Sequence, residues 1–419
     1  MRKVRRARGE SSCIAPAVVS LSTRGNHDSR ATRTAHSASN LCVAIRRRSP
    51  LKLIVQPDDG IKPLIDGIDR AKKSVEIAIF RFDRKEVEHA LENAVRRGVF
   101  VHALIADTNR NGEKNLRKLE MRLLAKGMTV ARTSDDLVRY HGKMMIVDRK
   151  ELYVLAFNFT CLDIDQSRSF GIITRNRTLV QEAIRLFESD TKRQAYTPKS
   201  NQFLVSPLNA RVRLAAYLNG AKQELLIYDP KISDRAMIRI LEGRARAGVE
   251  VRIVGRVAGR NGRVEVRGLA TTRLHTRTIV RDRKHVFIGS QSLRELELDA
   301  RREVGVIVPD SKVVNAVVKK FEADWETAQA APSVPAGDNA EGAVLKAATK
   351  AAEAITKELA PVAPAVEAAF QQVAGKATDI DLDLEDVELS VKEAVKRAVK
   401  QTVTDLVGVA SDERDPGDV

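Results

Sequence analysis

One spacing occurs twice in this chain and constrains its fold more than any other feature. His141-x-Lys143 is followed by Asp148, and His275-x-Arg277 by Asp282, so each copy reads His-x-(Lys/Arg)-x4-Asp. Each copy stands just ahead of a short apolar run, Leu152-Tyr153-Val154 or Val286-Phe287-Ile288. The chain holds only seven histidines, and two of them fall at matching places. A histidine acts as nucleophile or proton donor near neutral pH, and a cation two residues on shares its face of a strand. Two such sets turned toward each other make a site for a negatively charged tetrahedral group, which points to phosphodiester chemistry.

The duplication extends beyond the motif. Leu91-Glu92 and Arg96-x-Gly98-Val99-x-Val101 return, 150 residues later, as Leu241-Glu242 and Arg246-x-Gly248-Val249-x-Val251. Val55-x-Pro57 and Ala71-Lys72 return at the same offset as Val205-x-Pro207 and Ala221-Lys222. At the motif the offset is 134, so the second half is sixteen residues shorter, and the loss lies between its third strand and its histidine. The first half fills that interval with residues 113–126, whose Leu116, Leu119, Leu123 and Leu124 have helical spacing. A repeat this long is a duplicated domain, not a solenoid unit.

Periodicity within each half alternates between strand and helix. In the first half it predicts strands over 51–55, 75–80, 99–105, 144–147, 152–157 and 170–174. Helices are predicted over 61–72, 85–97 (closing at Gly98) and near 179–187. The second half repeats this from residue 203 and ends in a helix near 313–325. The expected class is α/β: two homologous α/β/α lobes related by a pseudo-two-fold axis, plus a helical C-terminal tail. The expected divisions are 1–50 (a disordered basic segment), 51–198 (lobe 1), 199–330 (lobe 2) and 331–419 (linker and tail).

With these residues in place, the segment 51–330 resembles the phospholipase D superfamily of phosphodiesterases, which carries His-x-Lys-x4-Asp in each of two lobes, often with Gly-Ser-x-Asn following. The first copy here has Leu155-Ala156-Phe157-Asn158 at that loop, and the second has Gly289-Ser290-Gln291-Ser292. The resemblance implies that one histidine attacks phosphorus, forming a phosphohistidine, while the other protonates the leaving oxygen. His141 is assigned as nucleophile because its motif is the intact one, and His275 as general acid. The reverse assignment stays open. Lys143 and Arg277 would neutralise the non-bridging oxygens without a metal, and Asn158, Thr160, Ser290 and Ser292 would support the phosphate site. Asp148 and Asp282 complete the motifs and are expected to bond the motif turn. Family members often carry a downstream acid that orients the opposite histidine; Glu303 fits, but the matching position in the first half is Ser169.

The implied activity is a metal-independent phosphodiesterase, acting by phospholipid head-group hydrolysis or transphosphatidylation. A nuclease on the same scaffold and a phosphate- or nucleic-acid-binding module without turnover are the alternatives. No cofactor is expected, and no Cys-x-x-Cys or His-Glu-x-x-His spacing occurs that would hold zinc. The net charge of +17 is uneven: residues 1–50 carry eleven Lys/Arg against two acids, and residues 331–419 carry nine against seventeen. The middle is therefore strongly basic, which suits polyanionic partners, either nucleic acid or an anionic membrane surface met peripherally. Arg252, Arg256, Arg260, Arg263, Arg267 and Arg273 are candidates to line the entrance of the site. Three cysteines and the lack of a long apolar run point to a cytoplasmic setting. Beyond a Pro/Ala linker, residues 341–359, 365–373 and 391–407 read as helices, the last with an apolar face suited to self-association or a membrane surface.

Overall fold

A computed structural model of the chain describes residues 51–106, 113–133, 137, 139–259 and 264–330. The expectations for residues 1–50 and 331–419, and for Arg260 and Arg263, lie outside the described residues.

The first lobe runs β1 (Lys52–Gln56), α1 (Lys62–Arg70), β2 (Ser74–Ile79), α2 (Lys85–Arg96), β3 (Phe100–Ile105), α3 (Glu113–Ala125), β4 (Thr129–Arg132), β5 (Arg139–Tyr140), β6 (Met144–Val147), β7 (Glu151–Leu155), α4 (Cys161–Asp165), β8 (Ser167–Thr174) and α5 (Arg177–Thr191). The second runs β9 (Phe203–Val205), α6 (Ala210–Asn219), β10 (Glu224–Ile232), α7 (Arg235–Arg246), β11 (Glu250–Val257), β12 (Glu265–Gly268), β13 (Arg273–Leu274), β14 (Arg277–Arg281), β15 (His285–Gly289), α8 (Glu295–Asp299), β16 (Arg301–Arg302), β17 (Val304–Val308), α9 (Ser311–Thr327) and β18 (Gln329–Ala330). The sheet orders are β1-β8-β7-β6-β2-β3-β4 and β18-β12-β11-β10-β14-β15-β17-β9, so the lobes share one topology. They share registers as well. Val75 pairs with Val101 as Leu225 pairs with Val251, and Met145 pairs with Tyr153 as Ile279 pairs with Phe287. Among the described residues the second lobe has no counterpart of α3 between β11 and β12, in keeping with the shortened interval.

Three apolar cores follow from sheets that are covered on both faces. One lies under α1 and α2, with Leu64, Val87 and Leu91 against Ile77 and Met145. A second lies under α6 and α7, with Leu214 and Leu241 against Ile253 and Phe287. The third is common to both lobes and joins α5 and α9 to the other face of each sheet, with Phe170, Phe187, Val286 and Phe321 in one cluster. A shared core holds the two motifs at a fixed separation, which a flexible linker cannot do.

Two of the arginines proposed for the entrance are instead committed to α9. Arg252 donates to both Glu322 carboxylate oxygens, at 2.6 and 2.9 Å. The Arg267 guanidinium lies 4.3 Å from the centre of the Trp325 ring and donates to the Trp325 carbonyl. Arg256 donates to the Pro230 carbonyl at 3.3 Å. Arg273 is hydrogen-bonded within the motif cluster, to Asp163.

The motif aspartates close hairpins. Asp148 and Arg149, at the turn between β6 and β7, have φ of 51° and 54°; Asp282 and Arg283, between β14 and β15, have 52° and 50°. Two successive residues in the left-handed region match the twist of a tight hairpin, and aspartate tolerates that conformation better than most residues. The Asp148 carboxylate then accepts the backbone N–H groups of Lys72, Lys73 and Ser74 at the start of β2, and Asp282 does the same for Lys222, Gln223 and Glu224.

Candidate active site

The two histidines are held by the opposite lobe. Short strand pairs cross the junction: β16 runs beside β5, with Arg301 opposite Arg139, and β13 beside β8, with Arg273 opposite Ser167. The Arg302 carbonyl accepts the N–H groups of His141 and Gly142 at 2.8 and 2.7 Å, and the Arg168 carbonyl accepts those of His275 and Thr276, both at 3.1 Å. Backbone bonding of this kind fixes each histidine relative to the partner lobe, independent of side-chain rotamers.

Side chains complete the arrangement around His141. Its Nδ1 lies 3.0 Å from both carboxylate oxygens of Glu303, which belongs to the other lobe. The Lys143 ammonium is fully buried, lies 3.0 Å from His141 Nε2 and donates to the His141 carbonyl at 2.7 Å. The Phe80 ring meets the imidazole edge-on at 5.2 Å, and the Arg139 guanidinium lies 5.1 Å from the centre of that ring.

Around His275 the pattern is only partly repeated. Arg277 donates to the His275 carbonyl at 2.7 Å, as Lys143 does in the first lobe, and its Nε bonds Ser292 Oγ at 3.1 Å. His275 Nε2 lies 3.6 Å from Asp163 Oδ2, while Arg273 donates to Asp163 Oδ1 at 2.9 Å. His275 Nδ1 has no hydrogen-bond partner.

Asp163 and Glu297 were not found from the sequence, although the 134-residue offset relates them. Each lies five residues after the loop position Asn158 or Ser292 and accepts that residue's backbone N–H, at 2.8 and 2.6 Å. Glu297 is almost fully buried and stands within 4 Å of Arg277, Arg294 and Arg301, at 3.8, 3.7 and 3.5 Å. The neutral groups expected to hold phosphate are engaged inside the protein. Asn158 accepts from Arg81 N and donates to Asp163, and Thr160 caps α4 through the Asp163 N–H. Ser290 Oγ bonds the Val304 backbone. Asp148 and Asp282 lie at the far ends of β6 and β14 from the histidines, bound to the turns described above.

Burial and like charge set the protonation of the cluster. Burial, together with Lys143, Arg301, Arg277 and Arg139, holds His141 well below the ordinary imidazole value. Burial with Arg277, Arg273 and Lys143 does the same to His275, against the pull of Asp163. Burial and Arg277 bring the Lys143 ammonium down to about 7, though Glu303 opposes them. Burial and Glu297 push the Glu303 carboxyl up to about 7, against Lys143. For Asp163 and Glu297, burial acts upward but loses to neighbouring groups, foremost His275 and Arg273 for the first and Arg277 and Arg294 for the second. Both stay ionised. Cations crowded this closely, with the lysine held at the edge of losing its proton, suit an anion entering between them.

Residues 64–191 and 214–325 match the family described as "Cardiolipin synthase, PLD-like domain". A polyphosphate kinase of Prosthecochloris aestuarii is 24% identical over 303 residues, which cover 64% of this chain and 42% of that protein. The chain thus spans about two fifths of that kinase's length. The crystal structure of polyphosphate kinase from Porphyromonas gingivalis superposes with a TM-score of 0.56 at 18% identity, covering 66% of this chain and 50% of the other. Phosphatidylserine synthase from Haemophilus influenzae gives 0.54 at 11% identity, covering 67% and 87%. These structural likenesses speak to the fold, and the family match spans both lobes. The chain belongs to the phospholipase D superfamily.

Proposed function

We propose that this protein is a metal-independent phosphodiesterase in which His141 is the nucleophile and His275 the proton donor. The observation that carries this reading is the contact of His141 Nδ1 with Glu303 across the lobe junction. An Nδ1–H donated to that carboxylate leaves the Nε2 lone pair for phosphorus, and the carboxylate then steadies the positive charge that the ring acquires on attack. Lys143 and Arg277, both buried, neutralise the non-bridging oxygens, the arginine by its planar fork and the lysine as a point charge. Splitting the displacement into two steps, with a positioned acid for the leaving oxygen, lowers the barrier of each.

The candidate substrates are the phosphodiesters of lipids and of nucleic acids. The arginines around the site (Arg139, Arg273, Arg294 and Arg301) favour a substrate with further negative charge beside the reacting phosphate. Among the described residues no helix is long and apolar enough to cross a membrane, so a lipid substrate would be met at a membrane surface.

The test is turnover in excess chelator by wild type and His141→Ala, with an aryl phosphodiester, anionic vesicles and oligonucleotides as parallel substrates. Hydrolysis or head-group exchange that survives chelator and is lost in the variant supports the reading. Binding of phosphate-bearing ligands without turnover, and unaffected by His141→Ala, would replace it with a binding module.

A further inference from the structure

Two lobes built to one plan allow comparison residue by residue, and the plan changes at one place beside the histidines. The carbonyl that holds His141 belongs to Arg302, and the next residue is Glu303; the carbonyl that holds His275 belongs to Arg168, and the next residue is Ser169. On the neighbouring strand, Gln56 lies directly opposite Ser169, and Ser206, its counterpart at the 150-residue offset, donates its N–H to the Glu303 carbonyl. One lobe thus pairs a long acid with a short hydroxyl, and the other pairs a short hydroxyl with a long amide. The long polar side chain has moved one strand over and lost its charge.

Gln56 and Ser169 are both fully buried. Gln56 Nε2 donates to the Gly60 carbonyl at 2.7 Å, which leaves the amide oxygen as its uncommitted end. Gln56 Oε1, Ser169 Oγ and His275 Nδ1 are all buried without a hydrogen-bond partner. Buried polar atoms are seldom left unpaired, so three on directly connected positions call for a common cause. A proton on His275 Nδ1 would supply it.

We propose that Gln56 is a positioning residue for His275: its amide oxygen, with Ser169 Oγ beside it, receives the Nδ1–H of the protonated ring, the place that the Glu303 carboxylate takes at His141. This rests on the reading that the two histidines share a phosphoryl transfer. The groups facing His275 are Asp163, Arg277, Arg273 and Lys143. A neutral acceptor orients the ring without adding negative charge, and the anionic substrate offsets the burial and cations that hold His275 low, so the imidazolium that forms in the complex is a ready proton donor. A carboxylate at His141 instead favours the ring that must carry positive charge as the phosphohistidine.

The steps balance. The Nε2 lone pair of His141 forms the N–P bond, and the bond from phosphorus to the leaving oxygen breaks. That oxygen keeps the electron pair and takes the Nε2 proton of His275. Water or an acceptor alcohol then gives its proton back to His275 Nε2 as its oxygen attacks phosphorus. The N–P electron pair returns to His141.

The test uses the full chain with 15N-labelled histidines, following the His275 ring through a pH titration. Gln56→Glu places a carboxylate at the amide position and should raise the His275 titration by about 1–3 pH units. Gln56→Met removes the oxygen at similar volume. It should slow turnover about tenfold or more for an alkyl leaving group, which needs a proton, while sparing a nitrophenyl leaving group, which does not. A His275 titration unmoved in folded Gln56→Glu overturns the proposal, as does an equal loss on both leaving groups in Gln56→Met. A wild type without any turnover would sink the proposed function, yet the titration would still decide the role of Gln56.

Discussion

Replacing the motif aspartate Asp148 with asparagine separates a structural motif residue from a chemical one. Its carboxylate accepts three backbone N–H groups, from Lys72, Lys73 and Ser74 at 3.0, 2.6 and 3.1 Å. Hydrogen bonds to a charged acceptor contribute about 1.5–3 kcal/mol each and neutral ones about 0.5–1.5, so losing the charge weakens each by about 1 kcal/mol. The carboxylate is partly exposed, and solvent screening roughly halves the sum, giving a cost of about 1.5 kcal/mol. The sign with pH is also determined. Partial burial pushes the Asp148 carboxyl up, but the N–H groups of Lys73, Ser74 and Lys72 outweigh it and hold it below the ordinary aspartate value. Its contribution is therefore fully present above the unfolded value of about 3.9 and is lost as pH falls through the lower folded value. Urea unfolding followed by Trp325, the single tryptophan, should show Asp148→Asn less stable at neutral pH. The gap should close as pH falls through that lower folded value. Catalytic efficiency of the folded variant should match wild type. A large loss of kcat/KM with unchanged stability would refute the reasoning and put the aspartate in the chemistry.

Other consequences follow from the same contacts. Glu303→Gln removes the carboxylate from His141 Nδ1 and should lower kcat by about 10²–10⁴-fold in a protein with unchanged circular dichroism. With burial and Arg277 bringing Lys143 down to about 7, sulfate binding measured by calorimetry should weaken as pH rises through that value and take up a proton. Lys143→Met should flatten that dependence, and a wild type without it would count against a buried lysine at the anion site. Arg168 donates to Asp324 at 2.8 Å across the lobe junction, where Tyr228 also bonds Asp324 at 2.6 Å. Asp324 is partly exposed, so Arg168→Ala should cost about 3 kcal/mol in urea unfolding, the low end of the loss when one partner of a buried pair is removed.

Much of the architecture was legible because duplication supplies its own alignment. The constant offset related strands that pair in identical registers, and Gly98 and Gly248, with φ of 82° and 87°, marked the ends of α2 and α7. The motif itself identified His141, Lys143, His275 and Arg277 as candidates, and Glu303 was reachable through the opposite-lobe rule of the family. Other site residues carried no local signal. Asp163 and Glu297 sit in five-residue helices, too short for periodicity to register. The junction strands β5, β13 and β16 are two residues each, and their pairing depends on a partner lobe far away in sequence. Gln56 looks like the end of a strand until the register sets it opposite Ser169. The arginines of β11 and β12 read as a basic entrance, but α9 lies close enough for Glu322 and Trp325 to take them. Charge in a sequence shows how many cations there are, not which acid or ring each one meets.

The measurement closest to the central claim is a search for the covalent intermediate. Wild-type protein would be mixed with an aryl phosphodiester in excess chelator, quenched at alkaline pH to preserve phosphohistidine, digested and mapped by mass spectrometry. The account predicts a phosphoryl-bearing adduct on the peptide containing His141, formed without metal and absent in His141→Ala. An adduct confined to His275 would invert the division of labour, and turnover that never yields an adduct on either histidine would contradict the covalent mechanism itself.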